Sequence, residues 1–170
     1  IYISGGDTIK DHTWYSGGYG KITVEWAIAT NSHIGEVLVK ERAFGDKKSE
    51  YEAAIKQIGY GKPDSIKGLE GIPSTNMATS KIAPIQLIVF YNAIANHGRM
   101  VQPQLYKDSV AIISPQIASK ANIDSIRQAL ERTVVEGLGK RANTNKAKVA
   151  GRGGTAQIGN PDDSTYIMDF

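Results

Sequence analysis

The stretch V-A-G-R-G-G-T-A-Q, Val149–Gln157, decides how the rest of the chain is interpreted. It begins with apolar residues, passes through glycine and ends in small hydrogen-bonding residues. Glycines inside a strand remove side-chain packing and leave room for a ligand to lie against the backbone. Arg152 adds a fixed positive charge beside this open edge, which suits a carboxylate or a phosphate. The stretch therefore predicts a ligand-binding strand; the alternative is a glycine-rich hairpin strand with a solvated arginine.

The composition is that of an ordinary globular protein. Hydrophobic residues make up 41% of the 170 residues and charged residues 22%, so one domain with a buried core is expected. The net charge of +3 comes without a basic run of the kind that marks nucleic-acid binding. The absence of cysteine excludes disulfides and cysteine nucleophiles. No apolar run approaches the roughly 20 residues of a membrane span.

Residues 1–20 are rich in glycine, aromatic and polar residues, which predicts a loop or a short hairpin. A single histidine, His12, lies near Asp7 and Asp11, and this is too little to indicate a metal site. We therefore expect no metal site, and the sequence implies no organic cofactor.

Two short helices are predicted next, with a polar break between them. Thr23 is a suitable N-cap for a helix over 24–30. The run N-S-H-I-G at 31–35 interrupts this helix, and a second helix continues to about residue 44. The apolar residues of the second helix recur at helical spacing and are expected to face the core: Val37, Leu38 and Phe44.

Helices then alternate with connections rich in glycine and proline. Ser49 is expected to cap a helix that ends at Gly59, and residues 59–76 predict a long loop. A core helix is predicted over 83–98, with Pro84 in its first turn.

The last third of the chain predicts a strand near 110–113, a helix capped by Asn122 and a final strand over 165–170. This final strand is expected to pair antiparallel with 149–158. Gly137 is expected to end the helix, whose apolar stripe consists of Ile123, Ile126, Leu130 and Val134.

Several stretches resemble motifs of the penicillin-binding proteins, the serine D,D-transpeptidases that cross-link peptidoglycan. The opening stretch shares seven of nine residues with the motif V-A-G-K-T-G-T-A-Q; Arg152 replaces the lysine and Gly153 the first threonine. Residues 27–35, A-I-A-T-N-S-H-I-G, align without a gap with A-[IL]-x-x-S-S-N-x-G, the setting of the Ser-x-Asn motif. Residues 83–103 and 130–142 follow the family's patterns for a scaffold helix and for the last helix before the wall strand.

The resemblance implies an α/β fold of the α+β type. An antiparallel sheet, five-stranded in the family, is flanked by helices beside a helical lobe, as in transpeptidase and β-lactamase-like proteins, and here the N-terminal part is missing. Residues 1–170 are expected to form a partial transpeptidase domain. Within it, 1–81 would be mainly loop and helical lobe, and 82–170 the scaffold helices and terminal strands. The sequence does not begin with Met and ends in Y-I-M-D-F, so we expect a piece of a longer protein.

The resemblance also assigns the candidate site residues. In the family the motif serine relays protons and the motif asparagine binds the substrate backbone; these positions are Asn31 and His33 here. Asn31 keeps hydrogen-bonding capacity but cannot shuttle a hydroxyl proton. His33 either replaces an amide donor or is a surface histidine at a helix cap. The expected substrate-binding residues line the wall strand: Arg152, Gly153, Gly154, Thr155 and Gln157.

On the wall strand the resemblance implies a division of roles. Arg152 would attract the substrate carboxylate and Thr155 would hydrogen-bond it. The backbone of 155–157 would support the oxyanion and pair with the acyl donor. Gly153 lacks the hydroxyl that the family threonine supplies.

The serine nucleophile of the family is missing from this sequence. Its motif places a lysine three residues after the serine, so that both lie on one face of a helix. No lysine of the chain has serine or threonine at i−3, so the Ser-x-x-Lys helix is expected N-terminal to Ile1.

Two functions follow from the resemblance, and a third stands outside it. The first is part of a D,D-transpeptidase that cross-links peptidoglycan stem peptides by serine acyl transfer. The second is a non-catalytic transpeptidase-like module that binds a stem peptide or a cell-division or elongation partner. The third is an unrelated carboxylate-binding or structural α/β protein, which does not explain the ordered series of family-like stretches.

The implied ligands are the peptidoglycan stem peptide and β-lactams, with no nucleic acid. Membrane proteins of the divisome or elongation complex are further candidate partners. The implied location is the periplasmic, extracytoplasmic face of the bacterial cytoplasmic membrane, with anchoring only through parts outside these residues.

Overall fold

The computed structural model describes residues 1–62, 82–105, 109–157 and 167–169. The helices are α1 Val24–Ala29, α2 His33–Phe44, α3 Lys48–Gln57, α4 Pro84–Ala95 and α5 Lys120–Val135, with 3₁₀ turns at Trp14–Ser16 and Lys140–Ala142. The strands are β1 Tyr2–Ser4, β2 Asp7–Ile9, β3 Met100–Val101, β4 Ile112–Ser114, β5 Thr155–Gln157 and β6 Ile167–Asp169. Across these four ranges, no helix combines the length and apolarity that crossing a membrane requires.

The described strands form three two-stranded antiparallel sheets, β1–β2, β3–β4 and β5–β6. In the last of these, Ala156 lies opposite Met168. The antiparallel pairing predicted for 149–158 and 165–170 is therefore confirmed, with three residues in each regular strand. The α+β class is also confirmed, although the described strands do not join into the single five-stranded sheet that the resemblance implies.

Contacts between residues divide the chain into two units. One unit comprises 1–43 with 128–170, and the other comprises 44–127. The division into 1–81 and 82–170 stays a prediction.

The N-terminal hairpin is held to α2 by one carboxylate. Its two-residue turn is Gly5-Gly6, both at positive φ, which glycine adopts without strain. The hydroxyl of Tyr2 donates to Glu41 Oε2 at 2.6 Å, and Ser4 Oγ donates to the other carboxylate oxygen. These two bonds lower the pKa of Glu41 below its usual value, and the bond from Ser4 has the larger effect.

The core of the first unit joins α1 to the second half of α5. Small or apolar side chains from both helices are buried there: Ala27, Ala29, Ala129, Leu130 and Val134. The backbone after α5 closes on α1, since the Leu138 N–H donates to the Ala29 carbonyl at 3.1 Å. Gly137 permits this approach, because a Cβ at that position would lie 2.1 Å from the Ala29 oxygen.

The core of the second unit is built on α4. Pro84 occupies its first position, as predicted, and the Gln86 side chain accepts from the Ala83 N–H at 3.0 Å. Gln86 also donates to the Gly61 carbonyl, which ties the end of the α3 segment to α4. The buried apolar residues of this unit are Val89, Ala93, Ile94, Met100, Ile117 and Ile123.

Some sequence-based expectations about caps are wrong. Ser49 is not the N-cap of α3, which already begins at Lys48. Asn122 lies inside α5, where its N–H donates to the hydroxyl of Ser119 at 3.3 Å. α3 thus begins one residue before Ser49, and α5 begins two residues before Asn122. The predicted loop over 59–76 lies mostly outside the described residues.

Leu38, predicted to face inward, is 44% exposed, and Ile126 of the predicted apolar stripe is 39% exposed. Helical spacing gives the relative directions of side chains but not which face meets a neighbour. In α5 the buried face passes through Ile123, Leu130 and Val134, as predicted, and leaves Ile126 at its edge.

The junction between α1 and α2 is organised by a buried carboxylate. Asp11 is 6% exposed and Ser32 is 1% exposed. Asp11 Oδ2 accepts from Ser32 Oγ at 2.9 Å, and Asp11 Oδ1 accepts from the Ile34 N–H at 3.1 Å. Ser32 Oγ in turn accepts from the Gly35 N–H at 3.0 Å. Asp11 and Ser32 together therefore satisfy N–H groups in the first turn of α2, which would otherwise lack partners.

We expect Gly137→Ala to lower the free energy of unfolding by about 1–3 kcal/mol, because the new methyl group overlaps the Ala29 carbonyl. Urea unfolding of the natural protein that carries this sequence measures the change. Gly151→Ala is the matched control, since a Cβ at Gly151 meets no atom within 4 Å. Equal stability of the two variants would contradict the close packing of α5 on α1.

We expect Asp11→Ala to lower the free energy of unfolding by about 1–3 kcal/mol, because the substitution leaves the buried Ser32 hydroxyl and the Ile34 N–H without their acceptor. Thermal unfolding and amide hydrogen exchange at Ile34 and Gly35 report the effect. The same substitution at the exposed Asp46 serves as the control. Unchanged exchange at Ile34 in Asp11→Ala would show that the carboxylate does not hold this junction.

Candidate active site

Asn31 lies at the junction between α1 and α2 in a left-handed backbone conformation, with φ of 54°. Asparagine adopts this conformation more readily than most residues, so the turn suits its side chain as well as its backbone. The Ser32 N–H donates to the Ala27 carbonyl at 2.8 Å, which closes the turn after α1. The half-buried Asn31 is thus fixed between two helix ends.

His33 is the first residue of α2 and is exposed. This position is compatible both with a surface histidine at a helix end and with an amide-replacing donor. The role of His33 in substrate binding therefore stays a prediction.

Arg152, in the stretch Val149–Gln157, reaches the junction between α1 and α2. The residues just before β5 belong to no regular strand, but the Gly151 N–H donates to the Leu130 carbonyl at 3.2 Å and anchors the stretch to α5. Arg152 Nε donates to Asn31 Oδ1 at 3.0 Å. Two motifs separated by 121 positions therefore meet through one hydrogen bond.

A second acceptor for Arg152 is the carboxylate of Glu36, which contacts Nη2. Glu36 lies in the first turn of α2, and its side chain is 38% exposed, against 35% for Arg152. Burial lowers the pKa of Arg152 below its usual value. Because the reference pKa of arginine is so high, the guanidinium remains charged at neutral pH.

Glu36 was missed by the sequence analysis. The available signal was an acidic residue one turn into the helix that follows the altered Ser-x-Asn motif. Such residues are common at helix N-termini because they oppose the helix dipole, so the pattern alone does not indicate a site.

The glycines that follow Arg152 lie beside open space. A Cβ built at Gly153 or at Gly154 would meet no atom within 4 Å. Packing within the described residues therefore does not require glycine at either position. Thr155 and Gln157 form the two ends of β5 and lie opposite Asp169 and Ile167 of β6.

The geometry places one cation, Arg152, within hydrogen-bonding distance of both a carboxylate and an amide. This arrangement can bind an anionic or polar ligand. It contains no side chain that acts as a nucleophile without an added base. In the four described ranges, no group of three His, Cys, Asp or Glu side chains is placed to hold a metal ion.

Comparison with known proteins identifies a family and several relatives. The family profile "Penicillin binding protein transpeptidase domain" matches residues 1–169. The chain is 27% identical, over 89% of its length, to stage V sporulation protein D of Bacillus subtilis. It is 24% identical, over 97% of its length, to penicillin-binding protein PbpB of Mycolicibacterium smegmatis. The matched regions are 27% and 30% of these two relatives, so the chain spans less than a third of either.

Solved structures show the same fold. The transpeptidase domain of Burkholderia pseudomallei penicillin-binding protein 3 has a TM-score of 0.74 at 23% identity, covering 99% of this chain and 55% of that one. The D,D-transpeptidase domain of a peptidoglycan glycosyltransferase from Eggerthella lenta has a TM-score of 0.70 at 20% identity, covering 92% and 46%. At these identities the likeness establishes the fold, and the profile match over 1–169 establishes the family. The chain belongs to the family of penicillin-binding protein transpeptidase domains.

Proposed function

We propose that this chain forms the carboxylate-binding side of a penicillin-binding D,D-transpeptidase, which cross-links peptidoglycan stem peptides by serine acyl transfer. The observation that carries the proposal is the hydrogen bond from Arg152 Nε to Asn31 Oδ1, because it joins the two altered family motifs. Arg152 attracts the carboxylate of the stem peptide or of a β-lactam. Its planar guanidinium presents several donors in a fixed geometry that matches a carboxylate.

The remaining site residues have supporting roles in this proposal. Gly153 and Gly154 leave space beside the backbone, in which the acyl donor lies. Thr155 hydrogen-bonds the ligand carboxylate. The backbone of 155–157 stabilises the oxyanion, and Gln157 lies at the end of β5. His33 contributes a donor at the rim from the first position of α2.

The reaction needs a nucleophile that these 170 residues do not contain. A serine Oγ, supplied with its lysine from outside them, attacks the stem-peptide carbonyl and loses its proton to a base. The terminal residue leaves with a proton, and the amine of a second stem peptide then displaces the serine from the acyl-enzyme. A β-lactam acylates the same serine through opening of its ring.

The proposed setting follows from this chemistry. Stem peptides and β-lactams are met on the extracytoplasmic, periplasmic face of the bacterial membrane, so the proposal places the protein there. Membrane proteins of the division or elongation machinery are proposed as its partners.

A second candidate function is a non-catalytic module that binds a stem peptide or a partner of the cell-wall machinery. It is favoured by one feature of the site: neither Asn31 nor Gly153 carries the hydroxyl found in the family motifs. The charge that binds a carboxylate is retained, while a group that relays a proton is lost.

We expect the natural protein that carries this sequence to form a covalent adduct with a penicillin. The adduct should map to a serine outside residues 1–170, because no serine within them has the required lysine. Intact-mass spectrometry followed by peptide mapping tests this expectation. Arg152→Ala should slow acylation about tenfold or more, since it removes a charge-assisted contact to the carboxylate.

Two variants serve as controls for this experiment. Arg152→Lys should retain most of the rate, because lysine keeps the charge at this position. Arg141→Ala removes an exposed arginine from the 3₁₀ turn and should leave the rate unchanged. Failure of the folded protein to form any adduct would favour the non-catalytic module, and an adduct on a serine within 1–170 would overturn the assignment of the nucleophile.

A further inference from the structure

The charge that should receive an anionic ligand is already in contact with an anion of the same chain. Arg152 donates from Nε to the amide oxygen of Asn31 and from Nη2 to the carboxylate of Glu36. Both charged side chains are only about one-third exposed, so water solvates each of them incompletely. A half-buried guanidinium is stabilised by an adjacent carboxylate, which offsets part of its lost hydration.

The backbone of Glu36 is held in place independently of Arg152. Its N–H donates to the Ser32 carbonyl at 3.1 Å within the first turn of α2. That turn is fixed in turn by the hydrogen bonds of Asp11 and Ser32. The positive end of the helix dipole also favours a carboxylate here, whether or not Arg152 is engaged.

A ligand carboxylate that approaches Arg152 therefore meets a second negative charge. It either displaces the Glu36 carboxylate from Nη2 or shares the guanidinium with it. Displacement costs the existing ion pair, and sharing places two like charges within a few ångströms of each other. Both routes lower the affinity for anions and leave the affinity for neutral ligands nearly unchanged.

We infer that Glu36 is a specificity-determining residue, which weakens the binding of carboxylate ligands at Arg152 by competing for the guanidinium. The inference rests on the proposed function in its choice of ligand. The inference goes beyond the proposed function because it assigns to Glu36 a lowering of the affinity for carboxylates, whereas Arg152 raises that affinity.

The test compares Glu36→Gln with the unchanged sequence in the natural protein. The probe is a stem-peptide mimic with a free terminal α-carboxylate, and the neutral probe is the same mimic as its C-terminal amide. Dissociation constants come from NMR titration, with the Arg152 Nε–H resonance, identified by its loss in Arg152→Lys, as the local reporter. Compared with the unchanged protein, Glu36→Gln should bind the acid about two- to fivefold more tightly, which is the range expected for a partly exposed ion pair. It should bind the amide as tightly as the unchanged protein does.

Glu25→Gln is the matched control. Glu25 pairs with Arg132 at 3.5 Å in the same unit, and the Glu25 side chain is 54% exposed, against 38% for Glu36. This variant removes one negative charge without touching Arg152, so a general charge effect would appear in both variants. A Glu36-specific effect should leave Glu25→Gln at the affinity of the unchanged protein.

Three outcomes would overturn the inference. Weaker binding of the acid by Glu36→Gln would mean that Glu36 positions Arg152 for the ligand. The inference also fails if Glu36→Gln binds the acid as tightly as the unchanged protein does, or if it gains equal affinity for acid and amide. Either result would mean that Glu36 does not compete for Arg152. An Arg152 resonance that fails to respond to the acid in every variant would remove Arg152 as the receptor. The penicillin reaction is scored separately, so a protein without an adduct contradicts the proposed catalysis while the titration still decides the role of Glu36.

Discussion

The buried carboxylate of Asp11 is the group on which the geometry of the site depends. Asp11 lies just after the N-terminal hairpin, yet its two oxygens accept from Ser32 and from the backbone of Ile34. An unpaired carboxylate at 6% exposure would be costly, so these bonds fix the path of the chain between α1 and α2. That path holds Asn31 in its left-handed turn and sets the first turn of α2, which carries Glu36. Asn31 and Glu36 therefore owe their backbone positions to the hydrogen bonds that Asp11 accepts between them.

The altered motif residues are physically compatible with one another. A lysine presents a compact ammonium, whereas an arginine presents a planar fork that can contact two acceptors at once. Arg152 uses this property, since Nε meets the Asn31 amide and Nη2 meets the Glu36 carboxylate. Asparagine keeps the acceptor oxygen that a serine would supply, but its amide does not release a proton. The two replacements thus preserve the connection between the motifs and change what it can transfer.

Local signals in the sequence predicted the local structure well. Thr23 accepts from the Trp26 N–H as the cap of α1, Pro84 begins α4, and the C-terminal strands pair as expected. The errors concern choices made by tertiary contacts: the exposed side of α2 at Leu38 and the starting residues of α3 and α5. In the site, Asn31 and Arg152 were identified through motif resemblance, and their hydrogen bond is a long-range contact that spacing does not encode. Glu36 was not identified, and Asp11 was considered only beside His12 as a metal ligand, because an acidic residue in a first helical turn or a loop has ordinary structural roles.

Binding and catalysis make different demands on this site, and the chain meets them unequally. The proposed binding of a carboxylate requires a fixed cation and room beside it; Arg152 is held by Asn31, and a Cβ at Gly153 or Gly154 would meet no atom within 4 Å. Acyl transfer also requires that a proton leave the nucleophile and reach the departing group. Three residues of the site cannot carry that proton. The amide of Asn31 and the guanidinium of Arg152 do not exchange protons near neutral pH, and Gly153 has no side chain. His33 stands two residues from Asn31, at the exposed first position of α2, and its part in the site stays a prediction. In the proposed function the serine and its lysine come from outside these residues, so the proposed catalysis depends on groups other than Asn31 and Arg152.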